Sequence, residues 1–303
     1  MIAIRRILCP IDFSRFSRHA LEQAISLARE TGAELSVLHI FVFAPVAQTV
    51  VAGGSIPLEP IRLDADTRQT LQAELRDFVG DVDTEGVLLT TTLFEGDAVS
   101  RILDRATDWN ADVIVMGTHG RSGFERLLLG SVTEKVLRKA TCPVLTVPPR
   151  MITPAQDLTF ARILCAIDYS AASFRALDYA ASLAARGGPG VTVLNVIELF
   201  AESTSGRDEV VLDTADFRAE LKRTALSRLH DAIPGPVRDH CPLVEMVTMG
   251  KAWREILRVA REEEAELIVL GVEGRNAADL AIFGSTTQHV LRQASCPVLT
   301  IRA

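Results

Sequence analysis

Apolar positions along this chain gather into short continuous runs, separated by stretches in which they recur at helical spacing. Residues 4–11, interrupted only by Arg5 and Arg6, form the first run and read as a strand covered on both faces. Ser14 follows, at a position where a side-chain oxygen caps a helix. Ala20, Ala24, Leu27 and Ala28 then share one helical face, and Gly32 suits a left-handed helix end. Residues 34–42 are a second strand, and 43–60 a loop rich in proline, glycine and small apolar residues. The pattern continues with a helix over 64–79, a strand over 87–94, a helix over 97–109 and a strand over 112–116. A helix over 131–140 and a strand over 144–147 close the series. Strands alternating with helices predict an open five-stranded parallel sheet with right-handed crossovers. Such sheets take ligands beyond the carboxyl ends of their strands, where the strand order reverses.

The pattern then returns. Ile7-Leu8-Cys9-Pro10-Ile11-Asp12 reappears as Ile163-Leu164-Cys165-Ala166-Ile167-Asp168. Val37-Leu38-His39-Ile40 reappears as Val193-Leu194-Asn195-Val196, and Cys142-Pro143-Val144-Leu145-Thr146 as Cys296-Pro297-Val298-Leu299-Thr300. A period of half the chain is a duplicated domain and not a solenoid. The boundaries are read as 1–150 and 151–303, with a linker from Pro148 to about Leu158 whose prolines and polar residues cannot continue a strand. The strand ends that draw attention are therefore Asp12 and Asp168, Ile40 and Val196, Gly117 and Gly271.

Length and composition agree with two globular domains: 303 residues, 48% hydrophobic and 23% charged. A net charge of −7 gives general nucleic-acid binding no electrostatic support. Asp12 ends the first apolar run too early for a signal peptide. The longest apolar region, about 35–52, contains His39, Pro45 and Gln48 and reads as strand plus loop, so no membrane segment is expected. The five cysteines include no C-x-x-C pair, and they read as buried small hydrophobes in a reducing cytoplasm, without zinc or disulfides.

The chemistry lies after the fourth strand of each copy. Gly117-Thr118-His119-Gly120 is followed, nine residues on, by Gly130-Ser131-Val132-Thr133 opening a helix. Gly271-Val272-Glu273-Gly274 and Gly284-Ser285-Thr286-Thr287 repeat that spacing. Glycines allow close backbone approach and positive φ. A helix start offers unpaired N–H groups and the positive end of the dipole. The hydroxyls of Ser131, Thr133, Ser285 and Thr287 add donors, so the segment reads as a phosphate loop. It is not a Walker A loop, because the Gly-Lys-Ser/Thr ending is missing. The bland alternative, tight turns and ordinary caps, is weakened by two copies at one spacing.

Gly-x2-Gly-x9-Gly-Ser/Thr in both halves, Pro10-Ile11-Asp12, and the closing Cys-Pro-Val-Leu-Thr run resemble the universal stress protein family, as a tandem member covering nearly the whole chain. The resemblance implies two nucleotide-α-hydrolase-like, Rossmann-like domains, and ATP binding, with or without Mg²⁺, in many members. It would place Pro10, Ile11, Asp12, Ile40 and Met116 around adenine and ribose, and Gly117, Gly120, Gly130, Ser131, Val132 and Thr133 on ribose and phosphates. The second copy would supply Ala166, Ile167, Asp168, Val196, Leu270, Gly271, Gly274, Gly284, Ser285, Thr286 and Thr287. Glu273 in place of His119 sets a carboxylate beside any second triphosphate.

Other candidates are plainer. Asp12 and Asp168 divide between ligand contact and helix capping, Arg121 and Arg275 between phosphate neutralisation and a solvated loop. His19, His230, His240 and His289 lack metal-ligand spacing, and Trp109 and Trp253 read as packing residues. No catalytic constellation is visible, so an ATP-binding regulatory protein acting through conformation and protein partners, with at most slow ATP hydrolysis, leads over two alternatives. One is an adenylating or ATP-hydrolysing enzyme, of which the adenylating kind needs a Ser-Gly-Gly-type loop where Asp12-Phe13-Ser14-Arg15 stands; the other is a nucleotide-free scaffold. The two final strands, apolar and at sheet edges, are expected to pair antiparallel into an intramolecular pseudo-dimer. Further dimerisation of the whole chain stays open.

Overall fold

The computed structural model describes residues 2–42, 63–120, 129–149, 160–184, 190–198, 215–272 and 284–302. The first half runs β1 (Arg6–Ile11), α1 (Arg15–Thr31), β2 (Glu34–Phe41), α2 (Ala65–Gly80), β3 (Leu89–Glu95), α3 (Ala98–Asp108), β4 (Val113–Gly117), α4 (Ser131–Lys139) and β5 (Val144–Val147). The second runs β6 (Arg162–Ile167), α5 (Ala171–Ala184), β7 (Gly190–Ile197), α6 (Ala215–Ala232), α7 (Gly235–His240), β8 (Leu243–Met249), α8 (Ala252–Glu262), β9 (Leu267–Val272), α9 (Ser285–Gln293) and β10 (Val298–Arg302). The expected loop over 43–60 and the linker over 150–158 lie outside the described residues.

All ten strands form one sheet in the order β3-β2-β1-β4-β5-β10-β9-β6-β7-β8. The order is the same from either end once the copies are equated. Neighbours are parallel throughout except at the centre, where β5 and β10 run antiparallel with Thr146 opposite Val298 and Val144 opposite Thr300. The expected pairing of the two final strands is therefore found. Two buried hydroxyls reinforce it: Thr146 Oγ1 donates to Val298 O at 3.2 Å and Thr300 Oγ1 to Val144 O at 3.1 Å.

Strand alternation splits the core into two layers. Ile7, Cys9 and Ile11 pack with Ala20, Ala24 and Leu27 of α1, whereas Leu8 faces the layer built with Val99 and Ile102 of α3 and Val136 of α4. The expected caps of α1 are present: Ser14 accepts the amide of Ser17, and Gly32 closes the helix at φ 69°. Trp109 caps the end of α3 and packs at the margin of its layer. Cys9, Cys165, Cys241 and Cys296 are buried and Cys142 is half-buried. No helix among the described residues is long and apolar enough to cross a membrane.

Candidate functional site

The sheet order reverses between β1 and β4 in the first half and between β6 and β9 in the second. At that point each half opens a cleft. The first, about 250 Å³, is lined by every first-half residue that the family resemblance implied: Pro10, Ile11, Asp12, Ile40, Met116, Gly117, Gly120, Gly130, Ser131, Val132 and Thr133. Ala98 and Ile102 of α3, Ser17, Val42 and His119 complete it. The second, about 980 Å³, brings together Ala166, Ile167, Asp168, Val196, Leu270, Gly271, Gly284, Thr286 and Thr287. Ser285 is exposed and does not line it, and Gly274 and Glu273 lie outside the described residues, as do Arg121 and Arg275.

The glycines act differently from the sequence reading. None of Gly117, Gly120, Gly130, Gly271 or Gly284 has positive φ. A Cβ on Gly117 would lie 2.9 Å from Phe16 O, and one on Gly271 would lie 2.3 Å from Ser173 N and 2.4 Å from Ala172 C. These two glycines let the start of α1 or α5 press against the end of β4 or β9. Gly120 is small because Asp12 Oδ2 would stand 2.8 Å from a Cβ there. Of these five, only Gly284 would place a Cβ with no described residue within 4 Å.

The helix starts match the sequence reading better. Side chains of Ser14, Asp64 and Asp97 cap α1, α2 and α3. By contrast, α4 and α9 begin at Gly130 and Gly284 with no side-chain cap. Gly130 N is used by Thr118 O at 2.8 Å, and Glu134 N returns to Gly130 O. The amides of Ser131, Val132 and Thr133 are left without partners among the described residues, and they stand at the cleft. The Thr133 hydroxyl is not among the free donors: it gives its proton to Gly117 O at 2.8 Å, fastening α4 to the end of β4.

Asp12 serves the turn as well as the cleft. Its Oδ1 accepts from Ser14 N at 3.1 Å and Ser14 Oγ at 2.5 Å, while Phe13 takes the left-handed conformation at φ 60°. Asp168 and Tyr169 repeat the turn, with Ser170 N 3.0 Å from Asp168 Oδ1 and φ 65° at Tyr169. Burial pushes the Asp168 carboxyl up, but hydrogen bonds from Ser170 and Ser173 outweigh it and hold the group below its ordinary value.

Sequence reasoning passed over a strap at each cleft floor. His39 Nδ1 lies 2.9 Å from Ile11 O, and Asn195 Nδ2 donates to Ile167 O at 2.8 Å. A backbone carbonyl only accepts, so this bond makes Nδ1 the protonated nitrogen of His39. A buried polar residue at one position of both apolar strands was the available signal.

The clefts also differ. His119 Nδ1 lies 3.0 Å from Thr118 Oγ1, its Nε2 is buried without a partner among the described residues, and burial lowers its pKa. In the second cleft Tyr169 replaces Phe13, and Arg228 of α6 holds its guanidinium 4.2 Å from the ring centroid. Glu198 Oε1 caps α8 by accepting from Ala252 N at 2.6 Å, taking over the role of Asp97 in α3. Among the described residues, no three His, Cys, Asp or Glu side chains gather as a metal site.

Comparison with known proteins agrees with this architecture. The sequence model of the universal stress protein family matches residues 3–148 and 159–302. A universal stress protein of Methanocaldococcus jannaschii is 35% identical over 143 residues, 47% of this chain and 81% of its own length. One from Synechocystis is 24% identical and spans 99% of this chain and 100% of itself. A crystal structure of a universal stress protein from Archaeoglobus fulgidus, 23% identical, superposes with a TM-score of 0.66 over 98% of this chain and 96% of that one, which speaks for the fold. With the family model on both halves and the same cleft built twice, the chain belongs to the universal stress protein family and carries its domain in tandem.

Proposed function

We propose that the first cleft binds an adenine nucleotide, ATP foremost, and that the protein is a cytoplasmic stress-response or regulatory protein working through nucleotide-dependent conformation or protein partners. The observation that carries this reading is the uncapped start of α4, whose first three amides have no partner among the described residues, at a cleft that also has an apolar side. Pro10, Ile11, Ile40, Ile102 and Met116 offer a slot for a flat base, and the amides and helix dipole offer an anion site beside it. Where Mg²⁺ accompanies the phosphates, Asp12 is the carboxylate at hand, and one carboxylate with phosphate oxygens is a common Mg²⁺ set. The start of α1, where an adenylating enzyme needs an open pyrophosphate loop, is closed by the Ser14 cap, which favours binding over activation chemistry. The second cleft is the weaker candidate for the same ligand, since Val272 replaces Thr118 and Arg228 and Tyr169 reshape its wall.

Ser131→Pro tests the anion site. Proline is tolerated at the first position of a helix, and Gly130, at φ −57° and ψ 138°, already has the backbone that precedes proline. The substitution deletes one amide donor and leaves the helix. A hydrogen bond to a charged group is worth about 1.5–3 kcal/mol, so ATP affinity by calorimetry should weaken roughly 10- to 100-fold. Ser131→Ala, which keeps the amide, should lose much less. Equal affinity in Ser131→Pro and the parent would refute the site.

A further inference from the structure

His119 is held in a way that the rest of the cleft does not require. Its Nδ1 is turned to the buried Thr118 hydroxyl at 3.0 Å, and that hydroxyl also reaches Val147 O at 3.3 Å. One side of the ring packs on Phe16, with centroids 5.4 Å apart. Nε2 is the polar atom that remains, buried and without a partner among the described residues, on a side chain that lines the cleft. The residue stands beside the start of α4, because a Cβ at Gly130 would lie 3.7 Å from His119 Cα. The His119 backbone therefore stands beside the helix start assigned above to phosphate, and its side chain lines the same cleft.

We propose that His119 makes the first cleft sensitive to ligand charge: a polyphosphate bound at α4 draws a proton onto the imidazole, and an uncharged nucleoside does not. This inference rests on the nucleotide reading given above. In the free protein two influences oppose the imidazolium, burial of the ring and the positive end of α4. Among the described residues the surrounding charges are few. Asp12, across Gly120, favours protonation; Arg15, stacked on Phe16 at 4.8 Å, opposes it; Glu134 of α4 is held by Arg138 at 2.6 Å. Several negative charges arriving at the helix start reverse that balance and stabilise the charged ring. The imidazole pKa thus lies below its ordinary value in the free protein and rises in the complex. Between those two values binding takes up a proton, and affinity for the polyphosphate strengthens as pH falls; above the pKa of the complex the dependence disappears.

Calorimetry of Mg-ATP binding near neutral pH, in two buffers of different ionisation enthalpy, reads the proton directly. Uptake approaching one proton per ATP is expected in the parent protein, with affinity changing by up to about tenfold per pH unit inside the window. His119→Gln should abolish the uptake and flatten the profile, and adenosine binding to the parent should be pH-independent over the same range. Ring NMR of the parent offers a second readout that needs no folded variant for its main result: the His119 titration should move to higher pH when ATP is added. Uptake that persists in His119→Gln, ATP binding without uptake, or an equal pH dependence for adenosine would overturn this inference alone. Absence of any ATP binding would overturn it together with the nucleotide reading.

Discussion

Valine at Gly271 should destabilise the second half by about 3 kcal/mol or more, the largest loss expected from any single glycine of the two loops. The Cβ it introduces would lie 2.3 Å from Ser173 N, 2.4 Å from Ala172 C and 2.6 Å from Ala172 O. These are backbone atoms at the start of α5, so no rotamer change relieves the clash. The helix must back away from β9, and α5 packs Ala172, Ala176 and Ala180 at full burial against that sheet. Lifting the helix opens the core that its small residues exist to close. Gly117→Val should cost less, because the nearest atom, Phe16 O, stands at 2.9 Å, and Gly284→Ala should cost no more than about 1 kcal/mol, since its Cβ meets open space. Urea unfolding followed by circular dichroism reads the series. A Gly271→Val protein as stable as the parent would show that the close approach is not required.

The same glycines mark the limit of what the amino-acid order discloses. The runs and helical faces of the first half located its strands and helices to within a residue or three, because continuous apolar strands and well-capped helices leave few alternatives. The seam was legible too: two near-identical apolar ends on a single chain have each other as nearest cover. The spacing of Gly117, Gly120 and Gly130 also pointed to a cleft that the structure contains, at the reversal of strand order. It did not disclose the work of each glycine, because smallness in a sequence is the same letter whether the neighbour is a phosphate, an aspartate or a helix backbone. The Thr133 hydroxyl carried a similar ambiguity, and the structure directs it to Gly117 O. Harder still was the divergence of the second cleft. Arg228 meets Tyr169 across the span from α5 to α6, and nothing near either residue in the chain announces the pair. The short helix α7 has no counterpart in the first half, and the repeat therefore offered no guide to it.

The seam supports the second large prediction. In β5 the carbonyls of Pro143 and Val147 accept from Ile114 N and Thr118 N of the β4 side, each at 3.0 Å. Odd-numbered peptide groups of this strand therefore face β4, and those of Val144 and Thr146 face β10. In β10 the carbonyl of Pro297 goes to Ile268 N, so Val298 and Thr300 face β5 in turn. Proline at Thr146 deletes a donor to β10 and the Thr146 hydroxyl bond to Val298 O while leaving the β4 ladder intact. Proline at Leu145 would cut the β4 side instead. Thr146→Pro should cost about 3 kcal/mol or more, and it should separate the two halves in their unfolding. Thr146→Val and Thr300→Val, which remove only the hydroxyl bonds, should each cost about 1 kcal/mol. In urea the parent should unfold with the halves coupled, and Thr146→Pro should give two resolved steps, with faster amide exchange at Thr300 and Val144. The consequence reaches the first cleft, because Thr118, which positions His119, hangs its amide and hydroxyl on Val147 O at the end of the same strand. A Thr146→Pro protein that unfolds in one step at the parent's midpoint would show that the β5–β10 hydrogen bonds do not carry the coupling between the halves.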